Sequence, residues 1–162
     1  MTHTTERTIS APLVRNDFDS LIEMYLEPDS NKYVKPLKDK TPEFYLDFLN
    51  KKLLQNETSI GFWVVKCKIT KEIMGTINLN FFESMDGHHI GCHLKRENWN
   101  KGLATELLSR LITYGVKEKS LDKIYGIVEK ENYVSKQLLK KIGLHYHSNK
   151  EILDTDLEIY CT

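Results

Sequence analysis

The chain has 162 residues, 40% of them hydrophobic and 28% charged, which suits one domain with one core and excludes a second. Lysine plus arginine equal aspartate plus glutamate at 23 each, so no global field favours nucleic acid, and any charge recognition must be local. Cys67, Cys92 and Cys161 form no C-x-x-C pair, the opening MTHTTERTIS has no apolar signal core, and GFWVV is too short to span a bilayer; a soluble, reduced, cytoplasmic chain without membrane contact is expected.

The first strand is expected over RTISAPLV, stopped by Pro12. Phe18, Leu21, Ile22, Tyr25 and Leu26 then recur at helical spacing. After a loop bearing lysines and prolines, Thr41 and Pro42 mark a second helix start, an N-cap followed by proline at the first helical position. That helix is expected to turn Phe44, Tyr45, Phe48, Leu49 and Leu53 inward.

Three strand candidates follow: IGFWVVKC, EIMGTINLNFF after the turn KITKE, and HHIGCHL after the turn ESMDG. A long helix is predicted from Gly102 to Lys119, with Leu103, Ala104, Leu107, Leu108, Leu111, Ile112 and Val116 as its apolar stripe. Beyond it lie a strand, KIYGIV, and a short helix from Tyr133 to Ile142 that Gly143 should end. Two last strands fall around LHYHS and TDLEIYC. The whole predicts an α/β domain with a mixed sheet.

The junction RENWNKGLATELL calls for a function. A helix N-terminus offers unpaired N–H groups and partial positive charge, and Gly102 removes a side chain where an anion needs close approach. Ala104 keeps the next turn slim, while Arg96 and Lys101 add charge; together these suit a phosphate-sized anion. A plain strand–helix connection, with Asn100 as N-cap and Gly102 as a turn residue, explains the same letters. No G-x-x-x-x-G-K-[ST] and no G-x-G-x-x-G occurs, so neither a Walker-A nor a Rossmann loop is present.

WNKGLATELL resembles the pyrophosphate-binding loop of the GNAT acyltransferases, Q/R-x-x-G-x-G/A, with Trp99 at the Q/R place, Gly102 at the glycine and Ala104 at the Gly/Ala. Trp99 followed by K-G-x-A-T-E looks like the ribosomal-protein N-terminal (serine/alanine) acetyltransferase branch, although Asn100 stands where glycine is frequent. TERTISAPLVRNDFDSLIEMY, IGCHLKRENWNKG and ENYVSKQLLKKIGL extend the resemblance over nearly the whole chain, Leu144 replacing an aromatic in the last.

The resemblance implies one GNAT domain over residues 1–162, with a mostly antiparallel seven-stranded sheet, about four helices and a central splayed pair of parallel strands. It implies acetyl-CoA as acyl donor, its pantetheine beside Cys92, His93 and Leu94. The pyrophosphate would lie on the loop of Trp99, Asn100, Lys101, Gly102, Leu103, Ala104 and Thr105, with Asn132 and Ser135 also near the cofactor. Lys136, Lys140 and Lys141 would lie near the adenosine phosphates, or else on a solvated helix face. Leu139 stands where many relatives carry a tyrosine acid, so Ser135 becomes the candidate acid, or merely a helix residue capped by Asn132.

His89 and His93 are the candidate bases, with sheet cover as the alternative, and Glu129 and Glu131 are distant runners-up. His88, His89, His93, His145 and His147 lack zinc spacing, so no metal is expected. The expected acceptor is a primary amine, foremost a protein N-terminal α-amine. A small amine (polyamine, amino acid or aminoglycoside) is the alternative within the enzyme class, since Glu27, Asp29, Glu83 and Asp86 suit any cation. A non-catalytic acyl-CoA-binding module is the alternative outside it, and monomer and homodimer both stay open.

Overall fold

The computed structural model describes residues 1–55 and 61–162. Eight strands form one sheet: β1 (His3–Thr4), β2 (Thr8–Pro12), β3 (Gly61–Cys67), β4 (Ile73–Phe82), β5 (Gly87–Leu94), β6 (Ile124–Glu129), β7 (His145–Ile152) and β8 (Thr155–Cys161). The helices are α1 (Phe18–Leu26), α2 (Pro42–Gln55), α3 (Leu103–Glu118) and α4 (Tyr133–Lys141). The strand order is β1-β2-β3-β4-β5-β6-β8-β7, antiparallel throughout except for β5 beside β6.

The count of eight corrects the expected seven. The added strand, β1, is two residues paired with Ile9 and Ser10, too short to announce itself by alternation. The expected first strand contracts to Thr8–Pro12, and Ile60, expected to open the strand that is β3, lies outside the described residues.

Five consecutive buried residues, Gly61–Val65, mark β3 as covered on both faces. Its side chains alternate between two cores: Phe62 and Val64 join α1 and α2, while Trp63 and Val65 join α3. Against the first core, α2 buries Tyr45 and Leu49, whereas Phe44 stays 39% exposed rather than turning inward. On α3 the buried residues are Leu103, Leu107, Leu108, Leu111, Tyr114 and Gly115. Val116 falls outside that arc, as a turn of about 100° per residue requires, and is exposed.

The imidazole of His3 is wedged edge-on between Trp63 and Tyr114, with ring centroids 4.5 and 4.6 Å away. Neither ring nitrogen has a hydrogen-bond partner among the described residues. Burial, helped by the charge of Arg110, drives its pKa down to about 4, so at neutral pH it packs as an uncharged ring.

Two features shape the functional end of the sheet. The parallel pairing of β5 with β6 runs only from His88–Ile124 to Ile90–Gly126, after which the strands part. At the branch point, Gly126 gives Leu139 and Leu144 room to sit on the sheet, for a Cβ there would come within 2.6 Å of Leu139. The end of α4 is closed by two bonds, Leu144 N–H to the Leu139 carbonyl and Gly143 N–H to the Lys140 carbonyl, with Gly143 at φ 91. This is the Schellman closure expected of a glycine in that place.

Candidate functional site

Where β5 and β6 part, the edge of Gly91–Leu94 faces a gap instead of a neighbouring strand. The chain then turns through Lys95–Gly102 into α3. Two left-handed residues shape that turn, Asn100 at φ 57 and Gly102 at φ 74. The first is tolerable for asparagine; the second is where glycine costs least.

The backbone N–H groups of Trp99 and Asn98 bond within the loop, to Arg96 and Lys95. The next protein-bonded amide is that of Glu106, which reaches the Gly102 carbonyl. Between them, the amides of Asn100, Lys101, Gly102, Leu103, Ala104 and Thr105 find no acceptor among the described residues. Successive free N–H groups at a helix start make an anion-binding concavity. A row of free amides is chemically suited to a phosphate group such as those of a diphosphate.

The loop is tethered at both ends. At its start, the Trp99 indole N–H donates to the Leu94 carbonyl at 2.8 Å, and the Arg96 guanidinium lies over the indole ring. At its end, Arg7 reaches across from the residue before β2. Its Nη1 donates to the Lys101 carbonyl at 2.7 Å, and its Nε and Nη2 both meet Glu106 Oε2 at 2.8 Å. The Arg7 amide donates to the other carboxylate oxygen at 3.0 Å. Burial pushes the Glu106 carboxyl up, but hydrogen bonds from Thr5 and Arg7 and the Arg7 charge outweigh it and hold the pKa below the ordinary range. Arg7 thus holds the Lys101 carbonyl, while the neighbouring amides keep no acceptor among the described residues.

A carboxylate held by several guanidinium bonds is worth more than an ordinary surface pair, though Arg7 is nearly half exposed. Arg7→Ala is therefore expected to raise the KM for acetyl-CoA about tenfold while kcat changes less. Arg7→Lys should recover only part of that loss, because an ammonium has no planar fork. Initial rates over a range of acetyl-CoA concentrations check both.

On the α1–α2 face of β5 lie His89, Gly91 and His93. The His93 Nε2 is 2.7 Å from the Ser30 hydroxyl, and its ring meets Tyr25 edge-on. Burial lowers its pKa to about 4, so it is neutral at pH 7 and only weakly basic. The His89 Nδ1 donates to the Asn80 carbonyl at 3.2 Å, and its Nε2 lies 3.4 Å from the Asn78 amide nitrogen. Burial likewise takes His89 to about 4, the Asn80 carbonyl opposing the fall. The Asn78 amide lies over Gly91, where a Cβ would come within 2.4 Å of its oxygen.

On the other face, burial pushes the Cys92 thiol up to about 12, which keeps it protonated and unreactive. Ser135 sits half-buried in the first turn of α4, just beyond the free end of β6. Its amide is capped by Asn132 Oδ1 at 3.1 Å, while its hydroxyl has no hydrogen bond among the described residues. Leu139 is buried against Gly126. Lys136 already pairs with Glu158 at 3.0 Å, whereas Lys140 and Lys141 are exposed and make no ion pair among the described residues. His145 and His147 are exposed on β7, and no three potential metal ligands gather among the described residues.

Arg7, Glu106 and Ser30 were not singled out from the sequence as site residues. Each acts through a partner 63 to 99 positions away, which no local pattern encodes.

A family described as the Acetyltransferase (GNAT) domain matches residues 7–145. An uncharacterized N-acetyltransferase, p20 of Bacillus licheniformis, is 30% identical over 143 residues, 86% of this chain and 79% of the relative. A GNAT-family acetyltransferase from Bacillus anthracis has the same fold, with a TM-score of 0.86 at 23% identity over 100% of this chain and 98% of that one. So has a ribosomal-protein α-N-acetyltransferase in complex with coenzyme A, at TM-score 0.84 and 11% identity over 100% and 97%. A spermidine N-acetyltransferase from Vibrio cholerae, with coenzyme A and spermine, aligns at TM-score 0.79 and 18% identity over 96% and 94%.

Proposed function

Because the chain belongs to the GNAT acetyltransferase family, we propose that this acetyl-CoA-dependent N-acetyltransferase takes the α-amine of a protein N-terminus as its acceptor. The observation that carries the donor half is the row of unpartnered amides from Asn100 to Thr105 beside the parting strands. Acetyl-CoA, when bound, supplies a thioester as the electrophile.

The chain's own groups would do the rest. The loop amides hold the diphosphate, and the open edge at Cys92 and His93 lines the arm that leads inward; the Leu94 carbonyl is already taken by Trp99. Backbone N–H groups on that edge would stabilise charge developing on the reacting oxygen. The free Ser135 hydroxyl would donate a hydrogen bond to the departing sulfur. On the opposite face, the His93–Ser30 pair offers a proton path away from the incoming amine. His89, with both nitrogens engaged, would fix Asn78 over Gly91.

A magnitude supports the α-amine. Deprotonating it at pH 7 costs about 1 kcal/mol, against about 4.6 kcal/mol for a lysine side chain. A buried, weakly basic histidine adds little driving force for either, so the amine that loses its proton to water most cheaply is favoured. The structural neighbours include both a protein α-N-acetyltransferase and a spermidine N-acetyltransferase, so the preference rests on this cost.

The test is release of free coenzyme A from acetyl-CoA with short peptides. A peptide with a free N-terminus should turn over at least about tenfold faster than the same peptide blocked there but carrying lysine. Equal rates for the two would overturn the α-amine assignment.

A further inference from the structure

The segment between α1 and α2 bridges the gap on its acceptor face. At its start, Glu27 accepts from the Arg96 amide at 2.7 Å and the Pro28 carbonyl accepts from the Arg96 guanidinium. Ser30 then meets His93 on β5. Further on, the Lys35 amide donates to Glu129, the last residue of β6, at 3.2 Å. The Lys35 ammonium donates to the carbonyls of Leu153 and Asp154 in the β7–β8 turn. The segment is thus fastened to both strands that part.

Beside Glu129, under this bridge, lies an open pocket of about 340 Å³ lined by Lys32, Lys35, Lys38, Asp39, Glu129 and Thr155. From Asn31 to Lys40 the chain carries four lysines and one acid. Among the described residues, none of the four makes an ion pair with a carboxylate. Lys35 is spent on carbonyls and Lys40 lies over the Phe44 ring. Lys32 is over Tyr33, a contact that leaves its charge uncompensated, and the Lys38 ammonium has no partner among the described residues. Three ammoniums therefore share one pocket with two carboxylates, at the end of β6 and on the segment that carries Ser30 to His93.

We infer that this pocket binds an anionic group, carboxylate or phosphate, carried by the acceptor close to its amine. Lys32 and Lys38 attract the anion, while Glu129 and Asp39 accommodate the amine's positive charge before it loses its proton. A peptide N-terminus followed by acidic or phosphorylated residues meets that demand; a polycationic acceptor does not. This rests on the N-acetyltransferase reading and names the acceptor class for it. Charges on an open rim act over a Debye length of about 10 Å at ordinary salt, so the preference belongs chiefly to low ionic strength.

The experiment uses peptides identical except at the second and third residues, which carry aspartate, phosphoserine, asparagine or lysine. In wild type, kcat/KM should fall from the anionic peptides through asparagine to lysine, by about tenfold overall at low salt, and converge in about 0.5 M NaCl. Comparing aspartate with phosphoserine separates carboxylate from phosphate. The double variant Lys32→Glu/Lys38→Glu should reverse the order with the KM for acetyl-CoA unchanged. An unchanged order in the variant, or a shift in the acetyl-CoA KM instead, would overturn the assignment. If no amine releases coenzyme A, the acetyltransferase reading itself has failed. Anisotropy of fluorescein-labelled aspartate and lysine peptides with the coenzyme A-loaded protein then decides the pocket, and equal binding of the two sinks it.

Discussion

Gly102→Glu is expected to abolish measurable acetyl-CoA binding while the domain stays folded. Gly102 stands at φ 74 immediately before the first residue of α3, so a glutamate there meets backbone strain of about 1–2 kcal/mol. Space is not the obstacle, since a Cβ would meet nothing nearer than the Arg7 guanidinium at 3.7 Å. The decisive effect is electrostatic. A carboxylate beside the six free amides competes for them from within and repels a diphosphate from without. Losing two charge-assisted hydrogen bonds to the diphosphate, at about 1.5–3 kcal/mol each, amounts to at least a hundredfold in affinity.

Titration calorimetry with acetyl-CoA measures the loss, and far-ultraviolet circular dichroism checks the fold. Gly102→Asn is the matched control, because asparagine tolerates the left-handed backbone and brings no charge; it should bind more weakly than wild type but well above the glutamate variant. Wild-type affinity in Gly102→Glu would remove the loop from the site.

Ser135→Ala is expected to lower kcat by about a hundredfold, the low end for loss of a positioned proton donor, with the KM for acetyl-CoA within about twofold of wild type. The variant is clean for a structural reason. What holds the first turn of α4 is the Asn132 oxygen on the Ser135 amide, and that bond survives when the hydroxyl is removed. Stability should therefore change by no more than about 0.5 kcal/mol, as for an ordinary partly exposed position. Initial-rate kinetics beside a thermal melt separate the two effects. Activity within twofold of wild type would take Ser135 out of the mechanism.

What could be read from the residues themselves was whatever local chemistry dictates. Asn132, Gly143 and the Thr41–Pro42 start mark helix ends by capping and φ, and all three mark real ends. The alternation in EIMGTINLNFF and the stripe from Leu103 to Leu111 gave strand and helix because period follows backbone geometry. At Gly102 the residues marked a turn into a helix, and the structure puts a left-handed glycine there, directly before α3.

Pairings between distant segments left no such trace. Nothing around Arg7 distinguishes it from Arg15, yet only Arg7 lies across from Glu106 and Lys101. Phe44 reads as core by spacing alone, but it stays 39% exposed, meeting Tyr45 edge-on with the Lys40 ammonium over its ring. His89 and His93 looked equivalent along β5. Their difference, one ring locked by Asn80 and Asn78 and the other open toward Ser30, comes from the neighbouring strand and the bridging segment.

The Arg7 tether also works in reverse. Order in the Asn100–Thr105 loop and order in the leading segment are coupled through Arg7, and linkage makes any such coupling mutual. If the loop carries the donor, its occupancy is expected to raise amide-exchange protection along Thr5–Thr8, the segment Arg7 fastens to Lys101 and Glu106.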